Sequence, residues 1–419
     1  MTLHMPMFAL ITIVYVASLK SGAIFGKNIE SEISNKKQVL EGKPQLTLKY
    51  AAIIYRHGDR TPVDPYPTDP WKDQSLWPVK FGELTNIGKN QHYTLGRFLR
   101  LRYQNFISKD FNPDEVYVRS TNVDRTLMSA QANLAGFYPP SDKSIWNKDL
   151  LWQPIPVHTK PEEDDEVLAM KKVCLAYTKA RTVYVNSNTF QHQLQKYQHL
   201  MKYMTAHTGK KIQNFDDMQS INSVLTIEQL YNFTLPNWTH SVFPDKLREP
   251  SCHSFSTSAA TPVMARLLVG PIMKQIFEHM QDAINKTSNH LKLSMFSGHD
   301  FTIGSILTAL GLFDGNCPEY TATIFLELFS NCSSSENLIR VSYRNSADIV
   351  EPEVLYIPGC GTLCEIHKFR KLYDNLIAVE WESECNIKKN LMHFIAICGL
   401  IICSGTAYYS WRNRRETIK

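Results

Sequence analysis

The chain has 419 residues, 20% charged and 43% hydrophobic, with no low-complexity bias, which excludes a disordered tail, a collagen-like fibre and a small disulfide scaffold. The formal charge of +5 sits mostly at the ends: Lys20 gives residues 1–26 a charge of +1, Arg412, Arg414, Arg415 and Lys419 against Glu416 give residues 390–419 +3, and the body at 27–389 holds only +1. A nearly neutral body has no basic field to hold nucleic acid, and its length suffices for a core that needs no metal staple.

Met7 to Ser18 (MFALITIVYVAS) is an apolar run followed by small residues around Ser21, Gly22 and Ala23, the pattern of a secretory signal over residues 1–23, although no Lys or Arg precedes it. The β-rich run Leu48 to Tyr55 (LKYAAIIY) then predicts a strand that breaks into Arg56-His57-Gly58-Asp59-Arg60-Thr61-Pro62. Thr85 to Phe106 predicts a helix with Thr85 as N-cap and Ile87, Leu95, Phe98 and Leu99 at helical spacing. A second strand, Glu115 to Val118, breaks into Arg119-Ser120-Thr121-Asn122-Val123-Asp124-Arg125 before the helix-like TLMSAQANLAGF. From about 160 to 290 the pattern is helical and rich in Gln and His, and predicts a helical cap inserted into the domain at 24–389. Its acidic start, Glu162 to Glu166, reads as a solvated loop, because it lacks the Gly and spaced ligands of a calcium loop.

A third strand, Leu291 to Phe296, breaks into Ser297-Gly298-His299-Asp300 before the helical FTIGSILTALGLF. Apolar strands alternating with helices predict an α/β fold with a central, mostly parallel sheet flanked by helices. Leu391 to Tyr409 runs nineteen residues without a formal charge, about 28 Å as a helix, and is followed by Trp411 and the arginines. That predicts one C-terminal transmembrane helix at 391–409, a cytoplasmic tail at 410–419 and a single-pass type I membrane protein. A lumenal body is an oxidising setting for Cys174, Cys252, Cys317, Cys332, Cys360, Cys364 and Cys385, an odd number that leaves one unpaired. Cys360-Gly-Thr-Leu-Cys364 is spaced for a bridge across a turn. Zinc is disfavoured, since there is no second close cysteine pair and no HExxH, so no metal is expected. Sequons at Asn232, Asn237, Asn285 and Asn331 become glycosylation candidates in the same compartment.

Ligands of open α/β sheets sit at the carboxyl ends of strands, where the three polar turns lie. They would gather Arg56, His57, Arg60, Arg125, His299 and Asp300, and three guanidiniums around an imidazole call for a compact anion with several oxygens, above all phosphate. The positive charge lowers the histidine pKa and preserves its lone pair in acid, while Asp300 facing a bound phosphate is expected to have a raised pKa and to protonate a leaving alkoxide.

Arg56-His57-Gly58-Asp59-Arg60-Thr61-Pro62 resembles the RHGxRxP signature of the histidine acid phosphatases, a branch of the histidine phosphatase superfamily. DPW followed by FGELTNIG, VRSTNVDRTLMSA, LLWQPIPVHT, NFTLPNW and PGCGTLC are similar to the prostatic- and lysosomal-type members, over about residues 47–386. The resemblance implies His57 as nucleophile forming a phosphohistidine, Arg56, Arg60, Arg125 and His299 as phosphate ligands, Asp300 as proton donor, and no cofactor or metal. It implies phosphate monoesters as substrates and a homodimer formed through a region like Trp152 to His158. It also implies Cys174–Cys385 and Cys360–Cys364 bridges. The relatives' third bridge starts where this chain has Ile227, so Cys252, Cys317 and Cys332 share one bridge, with Cys317–Cys332 the expected pair. The short basic tail shows no tyrosine-based sorting signal, which leaves lysosomal lumen, cell surface and a shed or secreted form all open. Two alternatives stand beside a general acid phosphatase: a phosphatase specialised for an inositol polyphosphate or lysophospholipid-type substrate, and a non-catalytic surface glycoprotein of the same fold.

Overall fold

The computed structural model describes residues 46–285, 291–346 and 351–385. The signal at 1–23, the span at 391–409 and the tail lie outside the described residues, among which no helix is long and apolar enough to cross a membrane.

The first described element is β1 (Leu46–Arg56), whose residues from Tyr50 onward are buried. α1 (Asn86–Tyr103) follows, with the Thr85 hydroxyl accepting from the Gly88 N–H as the expected N-cap. β2 (Val116–Ser120) leads into α2 (Asp124–Phe137). A helical stretch then contains α3 (Leu175–Val185), α4 (Asn188–Gln195), α5 (Gln198–Thr208), α6 (Phe215–Leu230) and α7 (Asp245–Thr257). The long α8 (Pro262–Asn285) returns the chain to β3 (Leu293–Gly298) and α9 (Asp300–Ala309). The last part holds β4 (Thr323–Asn331), β5 (Asn337–Arg344), β6 (Glu353–Val354), β7 (Cys364–Glu365), α10 (Ile366–Leu372), α11 (Asp374–Ile377) and α12 (Trp381–Cys385).

The strands run β2-β3-β1-β4-β5-β6 across one sheet, with β7 also on β5. β1, β2 and β3 are parallel, but β4 joins β1 antiparallel and the pairs beyond it are antiparallel as well. The expected mostly parallel sheet is therefore a three-strand parallel half and an antiparallel half. Within that half, β4 turns straight back into β5 through the five Ser-rich residues Cys332 to Glu336, with no crossover helix to enforce parallel order.

Alternation along β1 builds a core on each face. Tyr50, Ala52 and Ile54 pack with Ile272, Ile276 and Met280 of α8 and with Ile303 of α9, while Ala51, Ile53 and Tyr55 pack with Leu95 and Leu99 of α1 and Phe137 of α2. The helical stretch expected as a cap over 160–290 thus divides: α8 covers the sheet, whereas α4, α5, α6 and Leu247 of α7 share a separate core with Tyr66.

Among the described residues three bridges are present, Cys174–Cys385, Cys360–Cys364 and Cys252–Cys317, and Cys332 is an exposed free thiol. The expected Cys317–Cys332 pair is replaced by Cys252–Cys317. β4, nine residues long, carries the chain roughly 30 Å along the sheet at strand rise and leaves Cys332 beside Thr47 at the end opposite Cys317. No bridge spans that distance.

Under the cap, Glu228 of α6 is fully buried beside the buried Asp69. Burial first, and the neighbouring Asp69 carboxyl second, push Glu228 up to about 9, and Asp69 is raised by burial too, with the Trp71 N–H, Glu228 and Lys72 opposing. Between the ordinary carboxyl range and about 9, the folded state keeps a proton that the unfolded chain gives up, so stability falls as pH rises through that window. Glu228→Gln is expected to match the wild type near pH 4 and to be more stable by roughly 1–3 kcal/mol at pH 7. Denaturant unfolding across pH checks this; parallel pH curves would contradict it.

Candidate active site

The parallel register explains why the three turns converge. Arg56 is aligned with Gly298, and Ser120 with Ser297, so all three strands release their chains at one edge. The first turn is pressed onto the start of α1: a Cβ on Gly58 would come 2.4 Å from the Gly88 carbonyl oxygen, so both positions take glycine. The Asp59 carboxylate, fully buried, accepts from the Thr85 hydroxyl and from Tyr231 Oη at 3.1 Å, which ties the turn to α1 and to the residue after α6.

His57 is 2% exposed, and its backbone N–H donates to the Gly298 carbonyl. Its Nδ1 lies 2.8 Å from the Gly58 carbonyl. A carbonyl only accepts, so Nδ1 carries the proton and Nε2 keeps its lone pair. The His299 ring stands edge-on to His57 at 5.6 Å between centroids, and its Nε2 is 3.0 Å from Thr121 Oγ1 at the end of β2. Asp300 opens α9, and its Oδ2 is 2.9 Å from Arg56 Nη2.

The guanidiniums are held from three directions. Arg56 Nη1 donates to the Pro318 carbonyl at 2.6 Å, and its guanidinium lies 4.4 Å from the Tyr320 ring centre. Arg60 donates to the Thr61 carbonyl at 3.0 Å and to Ser223 Oγ of α6 at 3.2 Å. Arg125 Nη1 reaches the Gly82 carbonyl at 3.4 Å. The buried Nε–H groups of all three have no hydrogen-bond partner among the described residues, so each retains donor capacity for an anion.

Burial, then Arg56, Arg125, His299 and Arg60, hold His57 well below the ordinary imidazole range. His299 is lowered as well, by burial and then Arg125. Burial and Arg60 bring Arg125 down to about 10, which leaves it charged at any acid or neutral pH. For Asp300 burial acts upward, but Arg56, Arg60 and His299 together outweigh it, and the carboxyl lies below its ordinary value. The raised Asp300 pKa expected from the sequence is thus reversed in the protein alone, because the guanidiniums face the carboxylate directly.

Several residues here had no sequence signal. Tyr320, 5.9 Å from His57, comes from an irregular segment, and Ser223 from the middle of a cap helix. The acidic run expected as a solvated loop is partly interior. Asp165 is fully buried, pairs with Arg119, and accepts from the N–H groups of Val167, Leu168 and Ala169. Its neighbours Glu162 and Lys171, paired at 2.7 Å, act electrostatically on Arg125 and His299 respectively, so this loop borders the site. Arg56 and Asp300 open onto a pocket of about 200 Å³ lined also by Gln219, Asn222, Arg248 and Glu319.

Residues 47–344 match the model of the histidine phosphatase superfamily (branch 2). The lysosomal acid phosphatase of Xenopus laevis is 36% identical over 85% of this chain and 82% of its own length. The prostatic acid phosphatase of Homo sapiens is 37% identical over 81% of this chain and 88% of its own. Among solved structures, the Hafnia alvei phytase in complex with tartrate superposes with a TM-score of 0.61 at 18% identity, over 79% of this chain and 97% of that one, a likeness of fold alone.

Proposed function

We infer the reaction from one premise: this chain belongs to the histidine phosphatase superfamily (branch 2) and is an acid phosphatase, a hydrolase of phosphate monoesters. The residue roles that follow are our reading. The observation that carries them is a buried His57 whose Nδ1 is held by a carbonyl, so that Nε2 keeps its lone pair while Arg56, Arg125 and Arg60 hold the ring neutral.

The phosphoryl group binds among Arg56, Arg60 and Arg125, with His299 as a further ligand, and the guanidiniums neutralise charge on its oxygens in ground and transition states. His57 Nε2 attacks phosphorus, the N–P bond forms, the ester P–O bond breaks, and Asp300 gives a proton to the leaving oxygen. Water then attacks the phosphohistidine, Asp300 takes its proton back, and inorganic phosphate leaves. A bound phosphate takes over the guanidinium charge that holds Asp300 ionised, which raises the carboxyl pKa in the complex and favours the donor form in acid. The low His57 pKa keeps the nucleophile neutral in the same range.

We further propose a signal at 1–23 and an anchor at 391–409, which place the catalytic domain in an oxidising compartment; the disulfides and the exposed Asn232, Asn237 and Asn285 support this. Dimerisation through Trp152 to His158 is supported by Trp146 and Leu151, 57% and 73% exposed beside that segment. Truncation before Leu391 is expected to release a glycosylated ectodomain that hydrolyses p-nitrophenyl phosphate in acid. A full-length chain equally soluble without detergent contradicts the anchor, and an inactive, folded ectodomain contradicts the reaction.

A further inference from the structure

We propose that the Cys252–Cys317 disulfide is a positioning element for catalysis: it holds the Cys317–Tyr320 segment on Arg56 and fixes the far wall of the leaving-group pocket. The proposal deepens the phosphatase reading and rests on it.

The bridge joins α7, where Cys252 is 1% exposed, to the irregular segment between α9 and β4. That segment contacts the site at two points, the Pro318 carbonyl on Arg56 Nη1 and the Tyr320 ring under the same guanidinium. Its far end is secured by the Thr321 N–H on the His57 carbonyl at 3.3 Å. Its near end has only exposed residues before it, Asp314, Gly315 and Asn316, and a Cβ on Gly315 would meet nothing within 4 Å. Asn345 helps from the side, accepting from the Glu319 N–H and donating to the Cys317 carbonyl. The covalent link to α7 is therefore what ties the near end to a packed helix.

Arg56 has two Nη partners, Pro318 and Asp300. Without the first, the guanidinium is free to swing about its bond to Asp300, which misplaces a phosphate ligand and the proton donor together. The bridge also borders the pocket, which Cys317 lines. Arg248 and Cys252 are four residues apart on one face of α7, and Arg248 and Phe255 line the same pocket as Cys317, Pro318, Glu319 and Tyr320. The other two bridges have different surroundings: Cys174–Cys385 packs with Leu267 and Trp381, and Cys360–Cys364 closes the turn at Ile357 and Gly361.

A bridge closing 65 residues also stabilises the fold, so the test separates the two roles. The full-length double variant C252S/C317S is compared with wild type well below its own Tm, by vanadate inhibition and by kcat and KM for β-glycerophosphate and p-nitrophenyl phosphate. Positioning predicts vanadate inhibition and KM each weakened about tenfold or more, the order expected from losing one hydrogen bond to a charged group. A lowered Tm with vanadate inhibition and KM within twofold of wild type overturns the proposal. If the double variant is not recovered folded, C317A, which leaves the buried Cys252 in place, carries the same comparison. Graded reduction of wild type, assayed before the thiols are alkylated and mapped, adds a second: full activity in protein with Cys252 and Cys317 both reduced also overturns it. A wild-type protein without phosphatase activity would strike the underlying reaction instead.

Discussion

His57→Ala is expected to lower turnover of every phosphate monoester by at least about 10⁴-fold, because removing a covalent nucleophile forfeits the whole two-step route. The loss should fall on kcat rather than on phosphate binding. Arg56, Arg60 and Arg125 remain anchored by Pro318, Thr61, Ser223 and Gly82, none of which depends on the imidazole. Vanadate or inorganic phosphate should therefore still bind the variant. The fold should survive as well, since the backbone of residue 57 keeps its bond to Gly298 and truncation removes a side chain that is costly to bury charged. Single-turnover kinetics with calorimetric phosphate binding separates these quantities. Turnover retained within tenfold would transfer the nucleophile to another group, with His299 the neighbouring imidazole at 5.6 Å.

Asp300→Ala is expected to split substrates by leaving group. An alkoxide needs a proton as the P–O bond breaks, whereas nitrophenolate departs unassisted. General acid catalysis contributes typically about 10²–10⁴-fold, so alkyl phosphates should lose that much while p-nitrophenyl phosphate loses far less. The variant should also free Arg56 Nη2 from its 2.9 Å ion pair and leave the guanidinium more available to the phosphoryl oxygens. Tighter vanadate binding with slower alkyl-ester turnover is the combined signature. Equal slowing of both substrate types would make Asp300 a group that positions Arg56 and not a donor.

The parallel half of the fold was legible because each strand there is an apolar run that ends in a polar turn and restarts as a helix. Arg56, His57, His299 and Asp300 stand at those turns, and parallel register alone brings them to one edge. The antiparallel half carried no comparable signal, since TIFLELFSN and NLIRVSYR read as apolar runs whose direction depends on the turn between them. Cys252–Cys317 was not legible because its partners meet only after the cap has folded over the irregular segment, and proximity in sequence favoured Cys332. Asp165 was hidden for a different reason: an acidic run averages to solvated, and one member of it being fully buried against Arg119 is a tertiary fact. Helical spacing erred by one position at Ile87, which is 45% exposed while Gly88 and His92 face inward. Tyr320 belongs to no motif. It is found only by asking what lies over Arg56.

The central claim is a covalent phosphoryl group on His57 Nε2. Wild-type enzyme mixed with a ³²P-labelled phosphomonoester at acid pH, quenched in alkali within milliseconds and digested should yield a labelled peptide containing Arg56-His57-Gly58, with an acid-labile N–P bond. The label should vanish in His57→Ala and persist with a nitrophenyl ester in Asp300→Ala. Rapid turnover with no label on His57 at any quench time, or the label on another residue, would contradict the account.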